Sequence, residues 1–267
     1  MLLTFYKYHG TGNDFIIIDN RTDFFSGDAR LIARMCDRRF GIGADGLLLF
    51  GRAAGYDFNM TYYNADGSPA TMCGNGGRCM AAFARLIEPE KQHFLFLAGD
   101  GPHQAQILNS EAGENTVRLS MRDVENPIQE KRDYLLNTGT PHFVRFLSNV
   151  NQEDFDLVSE GRSIRYHERF ATEGINVDFV SPAPEGITVR TYERGVEDET
   201  LSCGTGVTAS AIAWAAESGL NSGPIPVSTR GGILRVDFTR QGNRFTEVFL
   251  TGPAVLVYKG EINLSQV

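Results

Sequence analysis

Two stretches of the chain carry apolar residues at helical spacing and predict two buried helices. These residues are Met80, Phe83, Leu86 and Ile87 in the first stretch and Val207, Ile212 and Trp214 in the second. Ala, Ser and Met crowd all sides of both stretches, which is typical of helices surrounded by protein. The first helix is expected to end before Pro89 and the second near Gly219.

The two predicted helices belong to an internal repeat. Residues 73–83 read CGNGGRCMAAF and residues 203–213 read CGTGVTASAIA, so each helix begins with Cys-Gly-x-Gly. Each cysteine lies 28 residues before a glycine, Gly101 or Gly231, inside a strand–turn–strand pattern. Upstream, YYNADG and TYERGVED precede the two cysteines, and GNDFIII and GINVDFV each place an asparagine before a β-like run. The repeat predicts two similar α/β domains, each with a sheet wrapped around its central helix.

The domain boundary is expected near residues 118–127, where MRDVENP carries turn residues. The first domain then comprises residues 1–118 and the second residues 119–253, and residues 254–267 are expected to return to the first domain. Two-fold pseudo-symmetry of this kind makes the cleft between the domains the expected site.

The composition is that of a globular protein, with 42% hydrophobic and 22% charged residues. A net charge of −8 and the lack of a basic stripe argue against nucleic-acid binding. The N-terminus does not have the pattern of a signal peptide, and no run approaches the ~18 apolar residues that a membrane helix requires. We therefore expect a cytoplasmic protein whose four cysteines are thiols.

The Cys-Gly-x-Gly sequence places a thiol at the N-terminus of each predicted helix. The helix dipole and the unpaired amides lower the pKa of such a thiol, so Cys73 and Cys203 are expected to supply thiolate near neutral pH. The same amides can bind a carboxylate. Inverting a carbon without a cofactor requires a base on one face and an acid on the other, and two pseudo-symmetric thiols supply both. Cys36 and Cys79 are interpreted as structural thiols.

Six segments, spread over nearly the whole chain, carry a resemblance to a known family. They are HGTGNDF (9–15), RRFGIGADG (38–46), YNADGSPATMCGNGGRC (63–79), PHFV (141–144), GINVDFV (174–180) and YERGVEDETLSCGTG (192–206). The sequence resembles the diaminopimelate epimerases. The resemblance implies interconversion of LL- and meso-diaminopimelate, in lysine and peptidoglycan precursor synthesis, without pyridoxal phosphate or metal. It also implies an α/β fold of the α+β type, in which two pseudo-symmetric domains each wrap a mixed, mostly antiparallel sheet or barrel around a central helix.

The resemblance also implies roles for individual residues. Cys73 and Cys203 match the two acid/base thiols. The positions that match substrate-binding residues are Asn13, Asn64, Gly74, Asn75, Asn176, Glu193, Arg194, Gly204 and Thr205. His142 and Glu193 match residues that tune the thiols or hold the substrate amine. Arg194 is suited to hold a distal carboxylate in a bidentate fork.

Two positions depart from the family pattern. Thr140 stands where many members have asparagine, and Gly46 stands where some members have glutamine. Neither residue is implied to transfer a proton, so the departures concern contacts to the substrate rather than the reaction.

Some of these residues also have ordinary structural explanations. Adjacent charges such as Glu193 and Arg194 often form only a solvated pair. Asn13 and Asn176 also suit turns at strand starts. His142 follows a proline in a predicted loop, and the residues alone favour a structural hydrogen bond and a site role equally.

Three other functions fit parts of the pattern. A proline racemase or hydroxyproline epimerase would use two thiols on a cyclic substrate, but such enzymes tend to have histidine where this chain has Asn75. An isomerase of the same architecture would lack the thiols. A non-catalytic amino-acid-binding protein or thiol switch would keep them without turnover. As partners, the sequence predicts a small-molecule substrate, no nucleic acid and no membrane, and it leaves a homodimer as an option.

Overall fold

The computed structural model describes residues 2–111, 113–125 and 127–264. The residues up to Leu119, together with those from Gly252 onward, form one compact unit, unit 1, and Ser120–Thr251 form a second, unit 2. The described ranges contain four α-helices, one 3-10 helix and 18 strands, numbered here in chain order. All 18 strands belong to one hydrogen-bonded sheet, and each unit contains its own part of that sheet and its own long helix.

The sheet of unit 1 closes into an eight-stranded barrel. Its strands are β1 (Leu2–Gly10), β2 (Asn13–Asp19), β3 (Gly46–Gly51), β4 (Phe58–Asn64) with the short β5 (Pro69–Ala70) beside it, β6 (His93–Ala98), β7 (Gly101–Glu111), β8 (Glu114–Ser120) and the second half of β18 (Arg244–Asn263). The hydrogen-bonded order is β1–β2–β3–β4–β6–β7–β8–β18–β1. The pairs β2–β3 and β4–β6 are parallel, because helices α1 (Ala29–Cys36) and α2 (Gly74–Ile87) lie in the connections between those strands.

Helix α2 is the central helix of this barrel. It begins after its N-cap residue Cys73 and ends at Ile87, before Pro89. Residues 74–84 are buried, and the helix packs against β1, β2, β3, β4 and β7. The small residues that crowd this helix in the sequence are therefore the ones that let strands surround it.

Helix α1 covers the outer side of the barrel at β2. Ile16 and Ile18 of β2 pack in one core cluster with Ile32 and Met35 of α1. Ile17 points to the opposite side of the strand and is also fully buried. Burial on both faces explains why β2 has a continuous apolar run instead of alternating polar and apolar residues.

The strands of unit 2 follow a similar order and also include two parallel pairs. Its strands are β9 (Val124–Glu125), β10 (Ile128–Glu130), β11 (Asp133–Asn137), β12 (Pro141–Phe146), β13 (Asn176–Ala183), β14 (Gly186–Glu193) with β15 (Asp198–Thr200) beside it, β16 (Ile225–Thr229), β17 (Gly232–Gln241) and the first half of β18. The order is β10–β11–β12–β13–β14–β16–β17–β18–β9. Helices α3 (Leu157–Arg165) and α4 (Gly204–Ser218) connect the parallel pairs β12–β13 and β14–β16, and a 3-10 helix spans Glu168–Phe170. The buried helix α4 packs against β11–β14, β16 and β17.

The strand order shows which segments of the repeat are equivalent. Strands β2 and β3 of unit 1 correspond to β12 and β13 of unit 2, since each pair is parallel and joined through a helix. The segment GNDFIII lies in β2, whereas GINVDFV leads into β13, so the equivalence inferred for these two segments is wrong. Both are buried runs of β-forming residues that follow an asparagine, and composition alone does not separate two such strands.

The predicted fold class is confirmed: an α+β arrangement of mixed, mostly antiparallel sheets, each with a buried central helix. No helix within the described residues has the length and apolar character needed to cross a membrane.

Candidate active site

Cys73 is the N-cap residue of α2. Its backbone is extended, and its Sγ accepts a hydrogen bond from the amide of Gly76 at 3.5 Å. The glycines at 74 and 76 are buried, while the cysteine itself is half-buried. The thiol therefore stands at the positive end of a helix dipole, where an anion is favoured.

Asn13 and Asn75 lie beside this thiol. Asn13 Oδ1 accepts hydrogen bonds from Cys73 Sγ at 3.5 Å and from Asn75 Nδ2 at 3.1 Å. Asn13 Nδ2 donates to a carboxylate oxygen of Asp45 at 2.8 Å, which fixes the orientation of the amide. Asn64 ends β4 and donates to Ser68 Oγ at 3.1 Å. The structure thus brings Asn13 and Asn75 directly to Cys73.

Cys203 is the N-cap residue of α4 and is more enclosed than Cys73. It is 7% exposed, and its Sγ lies 3.4 Å from Thr205 Oγ1. Gly206 follows in the first turn, and a Cβ there would lie 2.4 Å from Asp178 Oδ1. The glycine of the Cys-Gly-x-Gly sequence is therefore needed to bring a buried carboxylate up to the helix.

A chain of hydrogen bonds connects Cys203 to a buried histidine and carboxylate. Thr205 Oγ1 lies 3.2 Å from Thr140 Oγ1, which lies 3.0 Å from His142 Nε2. His142 Nδ1 lies 2.6 Å from Asp178 Oδ2, and both of these side chains are fully buried. Asp178 therefore holds the imidazole with Nε2 directed along the chain toward the thiol.

His142 lies in strand β12 and not in the predicted loop. Pro141 occupies the first position of that strand, where a residue without an amide hydrogen is tolerated. In the parallel pairing, His142 stands opposite Asn176, whose Nδ2 donates to Thr140 Oγ1 at 3.2 Å. The proline that suggested a loop in fact starts the strand.

Glu193 and Arg194 follow one another at the end of β14. Glu193 is the last residue of β14, as Asn64 is of the equivalent strand β4. The backbone amide of Arg194 donates to Asn176 Oδ1 at 2.8 Å. Its side chain passes Gly174, where a Cβ would lie 2.7 Å from Arg194 Cδ. The glycine of the GINVDFV segment thus makes room for the arginine.

The thiol of Cys203 does not ionise as easily as its helix position suggests. Burial first, and then the negative charges of Glu193 and Asp178, raise the pKa of Cys203 well above its usual value. The expectation of a lowered pKa is therefore wrong for Cys203, because burial and two acidic neighbours outweigh the helix N-terminus. Burial also raises the pKa of Cys36 to about 12 and that of Cys79 further, so these two stay thiols.

The departure at Thr140 places a hydroxyl group against the hydroxyl of Thr205. In unit 1, the contact beside the thiol joins the amides of Asn13 and Asn75 at 3.1 Å. In unit 2, Thr140 and Thr205 make the equivalent contact through two hydroxyl groups at 3.2 Å. A pair of hydroxyls therefore occupies the place that a pair of amides has in unit 1.

The departure at Gly46 is explained by close packing. A Cβ at this position would lie 2.6 Å from the carbonyl oxygen of Tyr63 and 2.7 Å from the ring of Tyr62. A side chain such as glutamine would require both tyrosines to move. The neighbouring strand therefore favours glycine at this position.

Two residues near the thiols are not marked by the motifs in the sequence. Asp178 lies inside the apolar run of GINVDFV, and a carboxylate within a buried strand is a signal that points to a site. Arg78 lies within the CGNGGRC segment and is fully buried, which the small residues around it in the sequence do not reveal.

Comparison with known proteins places the chain in a family. A model of the family described as diaminopimelate epimerase matches residues 5–122 and 134–257. The chain belongs to the diaminopimelate epimerase family. A diaminopimelate epimerase of Flavobacterium psychrophilum is 48% identical, with 96% of this chain and 99% of that protein covered. One of Chlorobaculum tepidum is 41% identical over the same shares of the two chains. The chain is therefore an isomerase of the amino-acid epimerase class, and its substrate is a small molecule.

Solved structures show the same fold at low sequence identity. A Bacillus anthracis phenazine biosynthesis protein of the PhzF family is 14% identical, with a TM-score of 0.75 over 98% of this chain and 99% of that one. A hydroxyproline epimerase from Agrobacterium vitis is 13% identical, with a TM-score of 0.73 over 98% of this chain and 91% of that one. These likenesses concern the fold alone.

Proposed function

We propose that the protein interconverts LL- and meso-diaminopimelate, with Cys73 and Cys203 as the acid/base pair on opposite faces of one α-carbon. The observation that carries the proposal is the N-cap thiol of each central helix, in a chain of the diaminopimelate epimerase family. The thiols recur at equivalent points of two units that share one strand order.

The reaction requires one thiolate and one thiol at the start. The thiolate removes the α-proton, so that the Cα–H bond breaks and an S–H bond forms. The other thiol gives its proton to the opposite face of the carbon, and the charge that collects on the α-carboxylate is stabilised by helix N-terminal amides. The reverse direction uses the same two groups with exchanged roles.

Arg194 is proposed to bind the distal carboxylate of the substrate. Within the described parts of the chain, no carboxylate side chain forms an ion pair with this guanidinium. Arg194 is half-buried, and its Nη1 donates to the carbonyl oxygen of Glu173. The planar fork of a guanidinium matches a carboxylate in two hydrogen bonds. Asn13, Asn64 and Asn176 are proposed to orient the amino and carboxylate groups, together with Glu193. A second charged end on an open-chain substrate suits this set better than the ring of proline does.

Proton exchange in D₂O tests the proposed substrate. The reduced protein, without added cofactor, is expected to replace the α-proton of LL-diaminopimelate by deuterium and to form the meso isomer, both followed by proton NMR. Proline and trans-4-hydroxyproline serve as comparison substrates and are expected to keep their α-protons. Exchange with these cyclic amino acids, but not with diaminopimelate, would assign the protein to the racemase alternative. A lack of α-proton exchange with all three amino acids would contradict the proposal.

The pH profile of turnover is expected to be bell-shaped, and its alkaline limb, in which activity falls, is expected at high pH. Activity rises as the first thiol loses its proton and falls when the second one does. Because the pKa of Cys203 is raised above the ordinary thiol value of 9.0, the fall is expected above pH 9. Initial rates at substrate concentrations far below KM, which report the free enzyme, measure this, with a primary deuterium isotope effect showing that chemistry limits the rate. A fall that starts below neutral pH would rule out Cys203 as the group that must keep its proton.

We further propose a cytoplasmic location, since all four cysteines are free and the proposed reaction requires reduced thiols. A homodimer is proposed as well. Val257 and Tyr258 of β18 are 53% and 43% exposed, and this apolar surface is suited to burial by a second copy of the chain.

A further inference from the structure

Arg78 is a buried guanidinium of α2 that no carboxylate neutralises. Its side chain is fully enclosed, and its hydrogen bonds go to neutral acceptors. These are Asn75 Oδ1 at 3.0 Å, Thr11 Oγ1 at 3.3 Å, and the carbonyl oxygens of Gly74 and Pro253 at 3.4 Å. Among residues 2–111, 113–125 and 127–264, no ion pair includes Arg78. Because an enclosed charge is costly without a counter-charge, this cation favours a nearby anion of another kind.

The thiols of unit 1 are the groups that can supply this anion. Burial lowers the pKa of Arg78 to about 10, which still leaves the guanidinium charged at neutral pH, and the negative charges of Cys79 and Cys73 act in the opposite direction. Cys79 is fully buried, and burial raises its own pKa, so it keeps its proton. Cys73, half-buried at the mouth of the helix, is the remaining candidate.

The hydrogen bonds around Arg78 lead to Cys73. Asn75 Oδ1 accepts from Arg78 Nη2, and Asn75 Nδ2 donates to Asn13, whose Oδ1 lies 3.5 Å from Cys73 Sγ. The amide of Gly76 donates to the same sulfur. A Cys73 thiolate loses its own hydrogen bond to Asn13, which is a weak contact at this distance. It keeps the Gly76 amide and lies in the electric field of the Arg78 guanidinium, and both of these favour a negatively charged sulfur.

The carboxylates nearest to this site are already neutralised. Asp14 forms ion pairs with Lys7 at 2.6 Å and with Arg38 at 2.6 Å. Asp45, which accepts from Asn13, is paired with Arg38 at 2.8 Å. The two negative charges beside Asn13 are therefore matched by two positive ones, and the charge of Arg78 is left in excess.

The surroundings of Cys203 carry the opposite charge. Thr208 stands five residues after Cys203, as Arg78 stands five residues after Cys73, and its hydroxyl donates to the carbonyl oxygen of Gly204 at 2.9 Å. The charged groups that act on Cys203 are Asp178 and Glu193, and both favour the protonated thiol. Helix α2 thus carries a cation near Cys73. At the equivalent position α4 carries a neutral hydroxyl, and two acidic side chains lie near Cys203.

We propose that the resting protein holds its thiolate on Cys73 and its proton on Cys203, with Arg78 as the positioning residue that fixes this order. The inference rests on the proposed two-thiol reaction, but it concerns the protein before substrate binds. A substrate whose α-proton is presented to Cys73 reacts at once: its proton passes to Cys73 Sγ, and Cys203 gives its own proton to the carbon. The protein is then left with a Cys73 thiol and a Cys203 thiolate, and a proton exchanged with solvent restores the resting order.

Alkylation of the substrate-free protein tests this order. The full-length reduced protein is treated with short pulses of iodoacetamide from about pH 5 to about pH 10, and mass spectrometry of the peptides follows each cysteine separately. The rate for Cys73 is expected to reach half its maximum at least about one pH unit below that for Cys203. The pH midpoint is compared rather than the rate, because Cys203 is the more buried thiol and reacts more slowly for that reason as well.

Variants of α2 test the part played by Arg78. Arg78→Met is expected to raise the midpoint of Cys73 by about one pH unit, a tenfold loss of thiolate at a given pH below the midpoint, and to leave that of Cys203 in place. Arg78→Lys keeps a cation, and its Cys73 midpoint is expected to stay close to that of the unsubstituted protein. Arg85→Met removes an arginine from the last turn of the same helix and is expected to leave both midpoints unchanged.

Two results would overturn the inference: a Cys203 midpoint at or below that of Cys73, or an unchanged Cys73 midpoint in folded Arg78→Met. If this variant does not fold, the order of the two midpoints in the unsubstituted protein still decides. Failure of the proposed function is recognised separately. If the proposed function is wrong, the α-proton of diaminopimelate does not exchange in D₂O, whichever thiol has the lower midpoint.

Discussion

Replacement of Cys73 or Cys203 by alanine is expected to lower the rate of epimerisation by about 10²- to 10⁴-fold, the range that a positioned general acid or base contributes. Each variant keeps one thiol, so each is expected to lose inversion without losing every proton transfer. The remaining thiol can remove the α-proton from one face and return a deuteron to that same face. We therefore expect exchange without inversion, and from only one of the two stereoisomers in each variant.

This experiment is read from the same D₂O spectra, with LL- and meso-diaminopimelate supplied separately. Cys79→Ala is the matched control, because it removes a thiol from the same helix at a buried position with a raised pKa. Its turnover is expected to remain within about tenfold of the unsubstituted protein once its folded fraction is measured, since it transfers no proton. Inversion at an undiminished rate in Cys73→Ala or Cys203→Ala would contradict the two-thiol reaction.

The positions of the thiols are the part of the site that follows most directly from the sequence. A cysteine before two glycines and a small-residue helix is a local pattern, and local patterns set where a helix begins. Cys73 and Cys203 are accordingly the N-cap residues of α2 and α4. The class of the fold follows in the same way, because the repeat contains each helix together with its strands.

The charged groups around the thiols come from residues that are distant from them in the sequence. Asp178 acts on Cys203 from a neighbouring strand, and its influence depends on Gly206 leaving room for a carboxylate oxygen. The excess charge of Arg78 depends on the acceptors that surround it, including Thr11 and Pro253. The hydrophobic pattern of one segment does not show which residues of other segments lie beside it. For this reason, the position at a helix N-terminus predicted a lowered pKa for Cys203, whereas the pKa is raised.

His142 illustrates a local pattern with two outcomes. A proline before a histidine is common in loops, but a proline is equally acceptable as the first residue of a strand. The choice is decided by the pairing of β12 with β11 and β13, which places His142 opposite Asn176 and next to Asp178. Tertiary pairing, and not the dipeptide, places this histidine in the buried chain of hydrogen bonds that leads to Cys203.

Removal of the Asp178 carboxylate is expected to cost about 2–6 kcal/mol in the free energy of unfolding, because two buried groups lose their hydrogen-bond partner at about 1–3 kcal/mol each. In Asp178→Ala, His142 Nδ1 loses its partner at 2.6 Å and the hydroxyl of Thr191 loses its acceptor at 2.6 Å. Both groups are buried and have no access to water as a substitute. Urea unfolding followed by the fluorescence of Trp214 measures this loss, since the single tryptophan of the chain lies on α4 of unit 2.

The matched control is Asp133→Ala, which removes the carboxylate paired with Arg145 at 2.9 Å on the surface of the same unit. Both partners of that pair are partly exposed, so its loss is expected to cost no more than about 1 kcal/mol.

The two aspartates are also expected to differ in their effect on the pH profile of turnover. Removing the charge of Asp178 takes away one cause of the raised pKa of Cys203, so the alkaline limb of the pH profile is expected to move to lower pH, whereas Asp133→Ala leaves it in place. A destabilised Asp178→Ala protein with an unmoved limb would restrict Asp178 to a structural role, because loss of packing alone changes stability without moving the titration of a thiol.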